Sequence, residues 1–75
     1  MDLNRATAQL SSVLGESDAK ALLAECLAEN GLAEVQTPQE LMGVAQSLIK
    51  RGGYLEVVGR ALKVQALLAG ARLER

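Results

Sequence analysis

The fold of this chain is decided by residues 36–64, QTPQELMGVAQSLIKRGGYLEVVGRALKV. Residues 37–40 supply an N-cap hydroxyl, a proline at the first helical position and a glutamate at the third, which together predict a helix start closed by a capping box. The glycine pair at 52–53 stops that helix, and a second apolar segment follows from Tyr54. The stretch therefore predicts two helices joined by a tight turn, as in a helical hairpin.

Two further helices are predicted upstream of this hairpin from their start and stop signals. The first begins at an Asp2 cap and ends at Gly15, while the second begins at a Ser17 cap and ends at the Asn-Gly pair 30–31. The predicted fold is all-α, a compact four-helix domain whose antiparallel neighbours are joined by short turns, and it takes residues 1–75 as a single domain. Its helices span about 2–14, 18–29, 38–51 and 54–71.

The helical periodicity assigns a core side to each of the first three helices. In the first helix the predicted buried stripe consists of Leu3, Ala6, Leu10, Val13 and Leu14. Cys26 lies on the apolar side of the second helix, opposite an acidic face. The predicted polar side of the third helix consists of Gln39, Gln46, Ser47 and Lys50. Gly59 and Gly70, together with Ala66, are predicted to let neighbouring helices approach closely.

The fourth helix has an apolar surface that is too wide for one neighbour to cover. Its charged stripe holds Glu56, Arg60 and Lys63, and apolar residues fill an arc of roughly 200°, against the 100° or so that a surface helix uses. One flank of the arc consists of Leu55, Val58, Leu62, Ala66 and Ala69, and the other of Val57, Ala61, Val64 and Leu68. Two arrangements are open: the other helices pack around this one, or one flank is reserved for a second chain.

The residue types that most enzymes use are missing. The sequence has no histidine, which removes the commonest general base and the commonest transition-metal ligand. Glu25 and Glu29, one helical turn apart, are interpreted as a solvated face, and Cys26 as a small core residue. We expect no enzyme activity, no catalytic residue, no cofactor and no metal site.

Charge is distributed unevenly along the chain. Residues 1–37 hold six acidic and two basic side chains, whereas residues 38–75 hold six basic and three acidic ones. The halves are expected to face each other, within the fold or across a dimer, and the alternative is a basic face for a partner. The net charge of −1 argues against holding nucleic acid or an anionic membrane by bulk charge.

The location of the protein is predicted from what the sequence lacks. No stretch is long and apolar enough to cross a membrane, and one cysteine gives no sign of an oxidising compartment. We therefore expect a cytoplasmic protein.

The hairpin also resembles the helix-turn-helix of the Fis family. Gly52-Gly53, Val58-Gly59, Leu62 and Val64 fit the spacing of that family. The resemblance implies a small dimeric DNA-binding protein with a degenerate Fis-like helix-turn-helix in residues 45–75. Lys63 replaces the turn glycine of the family, and residues 65–71, QALLAGA, offer almost nothing that can bond to base edges.

The function favoured by these patterns is protein–protein interaction, as an adaptor or regulatory module. The predicted partner is another protein and also a second copy of this chain, in a homodimer formed through the fourth helix. The predicted partner-binding residues are Tyr54, Val57, Arg60, Lys63, Val64, Leu67 and Leu68.

Overall fold

A computed structural model describes residues 3–71, and these residues form four helices. The helices are α1 (Asn4–Leu14), α2 (Glu16–Glu29), α3 (Pro38–Arg51) and α4 (Gly53–Ala69). The Cα radius of gyration is 11.1 Å, about the value of a single folded unit of this length. The predicted all-α four-helix domain is confirmed.

The third helix begins with the predicted capping box. Thr37 Oγ1 accepts a hydrogen bond from the Glu40 amide, and Glu40 Oε1 accepts one from the Thr37 amide, each at 3.1 Å. Glu40 Oε1 also accepts the Gln36 amide at 2.8 Å. These bonds satisfy amides that have no partner inside the helix, so the start of α3 is fixed by local sequence alone.

The α3–α4 hairpin forms the largest helix–helix contact in the fold. Gly52, at φ +73°, is the only residue between the two helices. A Cβ on Gly59 would lie 2.7 Å from the Ala45 carbonyl oxygen and 2.9 Å from the Ile49 amide nitrogen. The prediction that Gly59 permits close approach is confirmed, because any other side chain there would push the two backbones apart.

The α1–α2 connection is tighter than predicted. Gly15 alone separates the two helices, with φ +87° and ψ 158°, a combination that glycine adopts far more readily than other residues. Because the chain reverses within this one residue, α2 begins at Glu16, and the prediction that Ser17 caps it is wrong. The predicted Asp2 cap of α1 lies outside the described residues. In the described part of the chain, Leu3 occupies the N-cap position of α1, and it makes no side-chain cap hydrogen bond.

The fourth helix ends before its predicted boundary at residue 71. It stops at Ala69, and Gly70 follows at φ +119°, donating its amide to the Leu67 carbonyl. Nothing lies within 4 Å of a Cβ placed on Gly70. The prediction of close helix approach is therefore wrong for Gly70, which acts as the helix terminator, whereas Ala66 is fully buried.

The core collects one face of every helix. Its buried apolar residues are Ala6, Leu10, Ala19, Leu23, Cys26, Val35, Leu41, Met42, Val44, Ala45, Leu48, Val58, Leu62 and Ala66. Val13 and Leu14 were predicted to belong to it and do not, since Val13 is 57% exposed and Leu14 38%. Both lie in the last turn of α1, where the stripe defined by Ala6 and Leu10 no longer faces the rest of the core.

Candidate docking surface on the fourth helix

The two apolar flanks of α4 have opposite environments. Val58 and Leu62 are buried and Leu55 packs against the same core. The other flank faces outward, and its large residues are Val57 (62% exposed), Val64 (56%) and Leu68 (84%). In the described residues, the other helices therefore cover only one apolar flank of α4. The second apolar flank is exposed.

The uncovered flank follows a regular spacing. Its members, which we call the α4 seam, are Tyr54, Val57, Ala61, Val64 and Leu68, separated by three, four, three and four residues. All five are exposed in the described fold. This is the spacing of the a and d positions of a heptad, so the seam is a straight line of apolar side chains along about four turns of helix.

Tyr54 anchors one end of the seam to α1. Its hydroxyl donates to the Gln9 carbonyl oxygen at 3.1 Å, while the side chain remains 41% exposed. Val13, one turn beyond Gln9 on α1, is a further exposed apolar side chain. The tyrosine therefore combines a fixed position with an accessible ring, as interface aromatics often do.

A groove of about 260 Å³ runs beside the seam between α1 and α4. Its lining residues are Arg5, Ala6, Gln9, Ala61, Leu62, Val64, Gln65 and Leu68. Gln65 is half-buried at this groove. The surface that α4 offers is therefore a ridge bordered on one side by a shallow groove.

The other border of the seam carries one acidic and two basic side chains, Glu56, Arg60 and Lys63. Arg60 pairs with Glu56 one turn earlier, at 2.5 Å between Nη2 and Oε2. Lys63 is half-buried and Leu67 is 36% exposed. The predicted partner-binding residues thus lie together on α4, with the apolar ones in the seam or next to it.

A polar cluster between α2 and α3 was not predicted. Arg51 donates to Glu29 at 2.6 Å and to Glu25 at 3.0 Å, and its other amino group donates to the Ser47 carbonyl at 2.8 Å. The hydrogen bond from Arg51 holds the pKa of Glu29 below its ordinary value, and Glu29 in turn raises the pKa of Arg51. The acidic first half and the basic second half therefore meet within the fold at this cluster.

Asn30 extends the cluster at the end of α2. Its side-chain amide donates to the Cys26 carbonyl at 2.8 Å and to Ser47 Oγ at 3.0 Å. Ser47 was assigned to the polar side of α3, but it is 6% exposed and buried against Asn30. A sequence signal for this contact existed in Gly43, one turn before Ser47, because the Asn30 amide occupies the space that a Cβ would fill there.

Cys26 is a core residue, as predicted. Its side chain is fully buried, and burial raises the pKa of its thiol. A buried thiol with a raised pKa is a poor nucleophile. Within residues 3–71 no three histidine, cysteine, aspartate or glutamate side chains are placed to share a metal ion.

The helix-turn-helix suggested by the resemblance to the Fis family lacks its second turn. Residues 62–64, where that turn would lie, belong to the uninterrupted α4. Residues 65–69 continue the same helix, so the described part of the chain holds no separate recognition helix. Arg72 and Arg75, the basic residues that follow, lie outside the described residues.

Comparison of the chain with protein-family models, curated proteins and solved structures finds no match. Across residues 3–71 every helix is too short or too polar to cross a bilayer.

Proposed function

We propose that this chain is a small helical protein-interaction module that associates with itself through the α4 seam. One observation carries the proposal: three aliphatic side chains, Val57, Val64 and Leu68, are more than half exposed on one face of a helix whose opposite face is core. Scattered apolar residues are normal on protein surfaces, but a continuous apolar line marks a contact site.

The size of the fold supports association. A chain of 75 residues buries only about 60% of its unfolded surface, which leaves little margin of stability. Removing apolar surface from water is worth about 25 cal/mol per Å², so covering the seam adds stability that the isolated fold does not have. Binding a second copy would therefore stabilise each folded chain.

The chemistry of the seam supports an apolar partner. None of its five residues is charged, and the neighbouring Arg60 is already paired with Glu56. A strongly acidic partner would have to compete with that pair for Arg60, whereas an apolar helix would leave it intact. The charged border then sets orientation and solubility more than affinity.

The proposal is tested by placing one charge on each flank of α4. Val64→Asp should give a folded monomer, because the new carboxylate points to solvent in the isolated chain but would be buried on association. Leu62→Asp is the matched control two residues away, and it should unfold the domain because Leu62 is core. Light scattering after size exclusion measures the mass, and circular dichroism measures the helix content.

Loss of helix content in Val64→Asp would contradict the proposal, because it would show that this flank of α4 belongs to the core. A folded Val64→Asp that keeps the oligomeric mass of the unaltered chain would show that association uses another surface.

The proposal includes a cytoplasmic location. It is supported by Cys26 being a free thiol, since disulfides are rare in that compartment.

A further inference from the structure

We infer that the groove between α1 and α4 is a docking site for an amphipathic helix of another protein, which places an apolar side chain in the groove and a carboxylate on Arg5. This inference goes beyond the proposed self-association, because it names a second partner with a different chemistry. It depends on three features of the groove, which are an apolar surface, a single charged side chain and the amide of Gln65.

The apolar surface of the groove comes from both helices. Ala6 and Leu62 are buried, whereas Ala61, Val64 and Leu68 remain exposed and also belong to the α4 seam. A helix that covers groove and seam together buries side chains at i, i+3 or i+4 and i+7, the usual helix-in-groove mode of recognition. The groove volume of about 260 Å³ is below the roughly 300–1,000 Å³ of pockets that enclose drug-sized ligands, which favours side chains of a docked helix.

Arg5 gives the groove its charge. Among the described residues that line the groove it is the only charged one, and it is exposed. Every ion pair within residues 3–71 uses another cation, so Arg5 has no acidic partner there. A guanidinium binds a carboxylate through two parallel hydrogen bonds. The groove is therefore complementary to an apolar side chain that has a carboxylate beside it.

A second copy of the chain can cover the apolar seam, but its own α1 and α4 bring no free carboxylate to Arg5. In the described residues α1 contains no acidic side chain, and Glu56 is the only one in α4. Glu56 is already paired with Arg60. The same face of a second copy would instead add the cations Arg5, Arg60 and Lys63. The charge of the groove therefore favours a partner of different sequence, whose apolar stripe has an acidic flank.

Gln65 gives the groove a hydrogen-bonding group beside its apolar surface. It is half-buried, and no hydrogen bond within residues 3–71 uses its side chain. A partner that covers this amide removes its remaining water, so the covered amide needs a new hydrogen bond. The polar flank of an amphipathic helix supplies such a group, whereas a purely apolar partner does not.

Peptide binding tests the inference. The probe is a synthetic, fluorescently labelled helical peptide of about four turns, with leucines at a and d spacing and glutamates on both sides of that stripe. The matched peptide carries glutamine at every glutamate position. We expect the glutamate peptide to bind about two- to fivefold more tightly in fluorescence anisotropy, which is the usual contribution of an exposed ion pair.

Two charge-removing variants locate the preference. Arg5→Gln should abolish it, whereas Lys20→Gln, which removes the same charge from α2 outside the groove, should keep it. Measuring both peptides on each variant cancels any difference in helicity between the peptides. Both substituted residues are exposed, and circular dichroism checks that each variant is folded. A preference that survives Arg5→Gln would overturn the inference.

Decanoate, a fatty acid anion, tests the alternative occupant. Displacement of the glutamate peptide by decanoate at a similar concentration would show that the groove is a small-molecule site and would overturn the inference.

The failures of the inference and of the proposed function are distinguishable. A chain that sediments as a monomer and shows the Arg5-dependent preference would overturn self-association alone. A chain that sediments as a dimer, and binds neither peptide or both equally, would overturn this inference alone.

Discussion

Gly59 is the residue on which the α3–α4 contact depends. We expect Gly59→Ala to destabilise the fold by roughly 1–2 kcal/mol, because the cost of overpacking exceeds the gain in helix propensity of about 1 kcal/mol. The added Cβ would meet the backbone of Ala45 and Ile49, and neither can move without the whole of α3. Urea unfolding followed by circular dichroism measures the change.

Gly43 is the matched control, since it is the other glycine inside a helix that a Cβ would crowd. There the nearest atom is Asn30 Oδ1, at 2.6 Å, which is the end of a side chain that can rotate away. Gly43→Ala should therefore change stability by less than about 1 kcal/mol, the lost hydrogen bonds being offset by better helix propensity. Equal effects of the two substitutions would contradict the assigned role of Gly59.

Glu29 makes the stability depend on pH. Its pKa is held below the ordinary value of 4.5, first by the hydrogen bond from Arg51. A depressed pKa in the folded state contributes stability above the unfolded pKa, and that contribution is lost as the pH falls through the folded pKa. We expect the free energy of unfolding to fall below about pH 4.5 less steeply in Glu29→Gln than in the unaltered chain.

Parallel urea titrations between pH 7 and pH 3 check this expectation. Glu34→Gln, which removes an exposed carboxyl outside the Arg51 cluster, is the control. Identical slopes in all three proteins would show that the Arg51 contact adds no stability.

The start of α3 is the element most strongly determined by its own sequence. Thr37→Ala removes the oxygen that accepts the Glu40 amide, and we expect a loss of about 1 kcal/mol. Thr37→Ser keeps the hydroxyl and should keep most of the stability. Thermal and urea unfolding of the two variants measure the difference, and equal losses would mean that the cap does not stabilise α3.

The boundaries of the elements show where sequence reasoning succeeds. The bounds of α3 follow from TPQE and from the glycine pair, which act on neighbouring residues. The start of α2 was predicted wrongly because Ser17 has good cap chemistry, whereas the chain reverses at Gly15 and Ser17 already lies inside the helix. Gly70 was misread for a similar reason, since helix packing and helix termination both select glycine.

Tertiary contacts explain what the sequence could not predict about the site. The pattern of α4 indicated two apolar flanks, but which one faces the core depends on where α1 and α3 pack. The Arg51 cluster and the burial of Ser47 depend on how closely α2 packs against α3. The helical spacing of apolar residues in the sequence does not predict that packing. The residues named for partner binding remain predictions, and the structure places them on one side of α4.

The stability of the folded chain should increase with the protein concentration. If association covers the seam, raising the protein concentration favours the folded state, and the melting temperature rises with it. We expect this rise in the unaltered chain and its absence in Val64→Asp, measured by circular dichroism over a hundredfold range of concentration. A melting temperature independent of concentration in the unaltered chain would contradict coupling between association and folding.

Sedimentation equilibrium tests the central claim most directly. The unaltered chain and Leu68→Asp are compared over a wide range of concentration, against the chain mass of 7.9 kDa. We predict a reversible monomer–dimer equilibrium for the unaltered chain and a monomer at every concentration for Leu68→Asp. A mass of 7.9 kDa for the unaltered chain throughout that range would contradict self-association through the α4 seam.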